Sequence, residues 1–182
     1  MYSISDKRYS YNQKREAKTT AAQTAMFSLG ANQFQEQNTD LDTLVYYIKE
    51  GRLFTHVFKN DLRKNENFLY TSIIPIDVDD CPKSLEETLD GLEKKPTIAY
   101  YTASNLTEEG SYRFRFIYVF DDIIYRDHYR PLVKAVEDYL TLNVEGFSTT
   151  DHCHERLAQQ FMGADMTETE VLVFKDCIYE LS

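Results

Sequence analysis

The chain has 182 residues and carries 30 acidic against 20 basic side chains, a formal net charge of −10. That length buries a real core in one domain, or in one with a small subdomain, without covalent staples. The acidic balance excludes nucleic-acid binding by overall attraction, which rests on neutralising phosphates with Lys and Arg, and no apolar run approaches the ~20 residues that cross a bilayer.

Residues 1–20 are polar and basic, with tyrosines at 2, 9 and 11 but no clear period, and read as a flexible terminus or an arm packed by its tyrosines, against the alternative of a nucleic-acid arm. Lys7, Arg8, Lys14, Arg15 and Lys18 all precede any acidic cluster, which leaves room for a local basic groove on an acidic protein. Residues 20–37 form a weak helix that Gly30 interrupts. The next helix is clearer: Thr39 or Asp40 caps it, Leu41, Leu44, Val45 and Ile48 make one apolar stripe, and Gly51 ends it. Residues 53–58 read as a strand in which His56 is structural, because no metal-spaced partner lies nearby, and 59–67 are a charged loop.

A strand follows at Ile73-Ile74-Pro75-Ile76-Asp77-Val78-Asp79-Asp80. Side chains alternate between the faces of a strand, so Ile74, Ile76 and Val78 enter a core while Asp77 and Asp79 share the other side. Cys81-Pro82 breaks it, and Ser84 with Glu87 fits a capping box that opens a short helix with Leu85, Leu89 and Leu92 inside. Residues 97–103 form a strand that turns as a hairpin into 112–120, with Phe114, Phe116, Tyr118 and Phe120 on one side and Arg113 and Arg115 on the other. Asp121-Asp122 leaves the sheet, and a helix over about 126–142 buries Leu132, Val133, Val136 and Leu140, with Pro131 in its first turn. After a Gly, Ser and Thr loop comes Asp151-His152-Cys153-His154, then a short helix or turn at 155–161, then a closing hairpin of 170–174 and 177–181. The three cysteines, Cys81, Cys153 and Cys177, are an odd number with no apolar leader before them, so a soluble, cytoplasmic protein with no membrane partner is expected. Strand, helix, strand, strand, helix, strand, strand is the split βαβ pattern of an α+β fold, a mainly antiparallel sheet with helices on one face.

Asp77 and Asp79, one pleat apart, make half a site for a hard cation, since Mg2+ takes one or two protein carboxylates and lets substrate phosphates complete its shell. An isolated Asp-x-Asp is more simply a solvated strand end; the alternation with three aliphatics favours the site. Arg113 and Arg115 supply guanidinium forks for phosphate, against the plainer reading of a solvated strand face. The Ser104 hydroxyl with its loop amides offers another phosphate donor, against an ordinary turn serine. Four consecutive residues cannot converge on one ion, so 151–154 is no zinc site; Asp151 alone serves as a third carboxylate, with Asp121 and Asp122 competing for that role.

Taken in order, the Asp77-x-Asp79 strand, Lys95-Pro96-Thr97-Ile98-Ala99-Tyr100-Tyr101-Thr102-Ala103-Ser104, Tyr112-Arg113-Phe114-Arg115-Phe116-Ile117-Tyr118 and an isolated Asp151 resemble the archaeo-eukaryotic primase superfamily. The likeness is to the primase-polymerase domains of phages, plasmids and integrative elements, and covers residues 70 to about 165. It implies an RRM-like sheet with helices on one face, packed on a small N-terminal α/β unit. Residues 1–38 would be the arm and weak helix, and 39–182 the catalytic domain, in one globular whole. It implies template-directed nucleotidyl transfer in a mobile-element replication protein, with Mg2+ or Mn2+ held by Asp77, Asp79 and Asp151 and the triphosphate bound by Ser104, Arg113 and Arg115. The partners it implies are nucleoside triphosphates, a single-stranded DNA template or primer-template, and a helicase or C-terminal helical primase part. The family's second motif often carries Ser-x-His or Ser-His; here Ser104 is followed by Asn105 and Leu106, and the histidine is absent. Two rivals stay open. One is a nucleotide- or nucleic-acid-binding module without turnover, and the other is a metal-dependent nuclease or phosphatase that uses the same Asp pair to activate water.

Overall fold

The computed structural model describes residues 1–17, 34–105, 111–147 and 156–181. The polar N-terminal stretch is built into the fold rather than lying free. Tyr2–Arg8 is β1, and Ser10 opens α1 (Tyr11–Glu16) with a reciprocal capping box to Gln13. β2 (Phe34–Gln37) stands where the weak helix was expected to end; residues 20–33 of that expected helix lie outside the described residues. α2 (Leu41–Lys49) matches its sequence signals: the Asp40 carboxylate accepts from the Thr43 amide at 2.9 Å, and Leu44, Val45 and Ile48 are buried.

The run 53–58 is two strands, not one. β3 (Arg52–Thr55) belongs to a first sheet of order β2-β1-β3-β8, where β8 is Gln160–Met162, a strand in place of the expected short helix or turn. At His56 the chain crosses to a second sheet that begins with β4 (Val57–Phe58). That sheet runs through β5 (Phe68–Cys81), β7 (Tyr112–Tyr125), β6 (Ile98–Tyr101) and β9 (Leu172–Val173), with β10 (Ile178–Tyr179) parallel to β7. β9 and β10 therefore pair with different strands and make no hairpin. Asp121 and Asp122 do not leave the sheet either; β7 continues past them across an irregularity and pairs Ile124 with Thr71.

β5 and β6 each run antiparallel to β7, which lies between them, and α3 (Leu85–Asp90) links the two. This is the split βαβ arrangement, and the fold is α+β as its sequence pattern predicts. Ser84 and Glu87 form the expected capping box of α3. α4 (Arg126–Asn143) buries Tyr129, Val133, Glu137 and Leu140, with Leu132 and Val136 only partly covered. Pro131 falls in its second turn, not its first, beyond the positions where a missing amide is harmless. Among the described residues no helix is long and apolar enough to cross a membrane.

One face of the second sheet, with Ile74, Ile76, Val78, Phe114, Phe116 and Tyr118, packs against α3 and α4. Each buried aliphatic or aromatic side chain of this kind contributes about 1.5–3 kcal/mol. The opposite face is not open along its length. Ile73, Ile117, Val119 and Ile98 pack against Ile4, Phe54 and Phe161 of the first sheet and Ile48 of α2. β8 docks there closely: a Cβ on Gly163 would stand 2.6 Å from the Ile48 carbonyl oxygen and 2.9 Å from that of Arg52, so only glycine fits.

His56, at the crossing between sheets, is fully buried against the rings of Phe68, Tyr129 and Phe161, and neither ring nitrogen has a hydrogen-bond partner among the described residues. Burial alone pushes its pKa down from 6.5 to about 3. Between those values the unfolded chain binds the proton and the native one does not. Stability is therefore full above pH 6.5 and falls on acidification, by on the order of 4 kcal/mol at pH 3. Denaturant unfolding of His56→Leu across that range is expected to show a distinctly shallower loss than wild type.

Candidate functional site

Along the face that meets the first sheet, cross-strand rows change character toward the end of β5. Ile117 stands between Pro75 and Ile98, an apolar row; in the next row on that face Arg115 stands between Asp77 and Tyr100. Beyond it lie Asp79 and Arg113. The period of 2 thus brings both acids and both arginines to one face, at the place where the packing between the sheets runs out.

Arg115 is buried, and its guanidinium is almost fully engaged. Nε and Nη2 donate to the two oxygens of Asp77 at 2.6 and 3.0 Å, while Nη1 donates to the Met162 carbonyl at 2.6 Å and to the Tyr100 hydroxyl at 3.3 Å. Tyr100 in turn donates to the Met162 carbonyl at 2.8 Å. Four of the five N–H donors that a guanidinium owns are thereby used. Burial opposes its charge, but Asp77 outweighs that and holds the arginine pKa above its usual value. The pair fixes the orientation of Asp77 and ties β8 of the first sheet to the centre of the second.

Asp79 and Asp80 sit in a bulge. Val78 pairs with Phe114 and Cys81 with Tyr112, so β5 spends three steps where β7 spends two, and Asp80 adopts a left-handed φ of 57°. An extra residue in one strand re-aims its side chains. Both acids consequently face Arg113, which reaches Asp80 at 2.7 Å and Asp79 at 3.8 Å. Asp80 also accepts from the Ser111 hydroxyl at 3.2 Å. The Asp79 carboxyl is held above the usual carboxylate range by burial and then by Asp77, with Arg113 acting against them.

Ser104 lies in the turn after β6, and the Lys14 ammonium donates to its hydroxyl at 3.4 Å. Lys14 is placed by α1, whose Tyr11 donates its amide to Asp165 at 3.0 Å and its hydroxyl to the Tyr101 carbonyl at 2.5 Å. Asp151 lies outside the described residues, as do His152, Cys153 and His154. The described flanks of that segment reach the site from two sides. Gly146 packs on Pro82 and the Asp80 carbonyl at the end of β5, and Met162 accepts from Arg115. Among the described residues no group of three His, Cys, Asp or Glu side chains is arranged to hold a metal ion.

The sequence pattern gives Tyr100 and Asp80 no role at the site, and offers Lys14 only as one of five N-terminal basic residues of a possible local basic groove. The Ser10-x-x-Gln13 capping signature was the available signal that Lys14 rides on a helix.

No family model matches the chain, and no curated protein matches it. One solved structure does. The chain is similar to the AEP domain of the cyanophage S-2L primase-polymerase (PrimPol) at 12% identity, covering 98% of this chain and 82% of that one, with a TM-score of 0.48. A likeness of that size establishes neither a shared fold nor a shared activity.

Proposed function

We propose that the chain is a metal-dependent nucleotidyltransferase of the primase-polymerase type, acting on nucleoside triphosphates with a single-stranded DNA template or primer-template. In a mobile-element replication protein it would work beside a helicase or a helical primase part. The observation that carries this reading is the shared face on which Asp77 stands in register with Arg115 while Asp79, in the bulge just beyond, faces Arg113.

The donor set fits a divalent cation. All the oxygens are hard, and the mutual repulsion and burial that raise the Asp79 pKa are what a bound cation offsets. Asp77 and Asp79 would hold Mg2+ or Mn2+, with Asp151 proposed as the third carboxylate. Such an ion lowers the pKa of an attacking hydroxyl and stabilises charge on the leaving phosphate. Arg115 acts through Asp77, keeping that carboxylate aimed into the site. Arg113, in a partly exposed pair with Asp80, exchanges that partner for a phosphate at little cost, because such pairs contribute about 0–1 kcal/mol. Ser104 offers a hydroxyl to the same phosphates. Positioning and charge stabilisation then do most of the catalytic work.

The grip of Arg115 on both oxygens of Asp77 favours a second reading, a nucleotide- or nucleic-acid-binding module without turnover. Titrating Mg2+ or Mn2+ into the chain and a primed template, with and without nucleoside triphosphates, separates the possibilities. The polymerase extends the primer only with both, a nuclease shortens it with metal alone, and the binding module changes it under neither condition.

A further inference from the structure

The charges at the site pair unevenly. Asp77 is matched by Arg115, and Asp80 by Arg113, which reaches Asp79 only at 3.8 Å; among the described residues this leaves Lys14 as the cation at the site without a carboxylate partner. Lys14 carries three donors, and among the described residues its ammonium has one hydrogen-bond partner, the Ser104 hydroxyl, and no carboxylate within 4 Å. It is half-buried, not extended into water as lysines on a solvated helix face are. Burial and the neighbouring Arg115 and Arg113 lower its pKa, against Asp77 and Asp79. Its position is built rather than incidental. The capping box fixes the first turn of α1, and Tyr11, three residues before it on the same helix face, is anchored at both its amide and its hydroxyl.

We propose that Lys14 Nζ and Ser104 Oγ form an anion subsite that holds a phosphate group of the substrate's polyphosphate, beside the acids that take its metal. A cation place next to an anion place matches a metal-bound polyphosphate, whose two kinds of charge need opposite partners. The identity of that substrate rests on the nucleotidyl-transfer reading; the anion subsite itself does not. α1, the first helix of the chain, thereby becomes part of substrate recognition, and Lys14 a specificity-determining residue on an element remote in sequence from the acids.

The test uses the full chain with inorganic tripolyphosphate and Mg2+ as the probe. Amine acetylation followed by mass spectrometry should show Lys14 protected by tripolyphosphate, while Lys134, exposed and paired with Asp138, labels unchanged. Lys14→Gln should bind tripolyphosphate about tenfold more weakly and raise KM for nucleotide with little change in kcat, and Lys14→Arg should restore most of the affinity. Lys14 labelled equally with and without the probe, or wild-type affinity in Lys14→Gln, overturns the subsite. Protection of Lys14 in a chain that never extends a primer upholds the subsite and removes polymerisation. Primer extension with a wild-type KM in Lys14→Gln removes the subsite and leaves polymerisation standing.

Discussion

Arg115→Met is expected to destabilise the fold by about 3–5 kcal/mol in urea unfolding, the usual result of breaking a buried pair from one side. The substitution keeps much of the side-chain volume, so packing against Phe161 and Tyr100 survives, but three acceptors lose a guanidinium hydrogen bond, the Met162 carbonyl keeping the one from Tyr100. Both Asp77 oxygens lose a guanidinium that holds them at 2.6 and 3.0 Å, and the Met162 carbonyl loses a 2.6 Å bond. Arg115→Lys should fall between wild type and Arg115→Met, because an ammonium supplies the charge but not the planar fork that reaches Asp77 twice. A loss below about 1 kcal/mol for Arg115→Met would place the pair among exposed bridges and remove its role in aiming Asp77.

Asp79→Asn separates function from stability in the opposite way. Its carboxyl is held above the usual range by burial and by Asp77, so at neutral pH the ionised group is less favourable in the native chain than in the unfolded one. The sign follows from proton binding: the native state binds more protons through that window, and stability falls as pH rises through it. Asn removes the repulsion, and thermal unfolding of the variant should show a Tm equal to wild type or higher. Nucleotide incorporation should nonetheless fall by about a thousandfold or more, since loss of one carboxylate ligand removes several kcal/mol of charge stabilisation. An acid that was simply part of a solvated strand end would leave incorporation unaltered.

The division of β5 and β7 into an apolar face and a charged face was legible in the sequence, because a strand buried on one side writes its period of 2 directly into Ile74, Ile76 and Val78 against Asp77 and Asp79. The caps of α2 and α3 were legible for an equally local reason. What escaped needed partners distant in the chain. β1 carries Ser3 and Ser5 buried beside Tyr2 and Ile4, so it shows no alternation, and its strand state comes from pairing with β2 and β3. β8, β9 and β10, at two or three residues each, are too short to display a period. The run through His56 is continuous in hydrophobicity, and nothing local marks the crossing between sheets. At the site, the same alternation placed four charged residues correctly on one face but not their pairing. The bulge that brings in Asp80 and the docking of α1 that brings in Lys14 are tertiary events, and the polar, basic composition of residues 1–20 reads equally well as a solvated arm.

The most direct measurement is incorporation of labelled nucleotide on a primed single-stranded template by wild type beside Asp77→Asn, with both shown to be folded. Asn is preferred to Ala because it leaves Arg115 an oxygen to donate to. Product that requires both divalent metal and nucleoside triphosphate, and that disappears in Asp77→Asn, is the predicted result. Undiminished product from Asp77→Asn, or none from wild type with either metal, would contradict it.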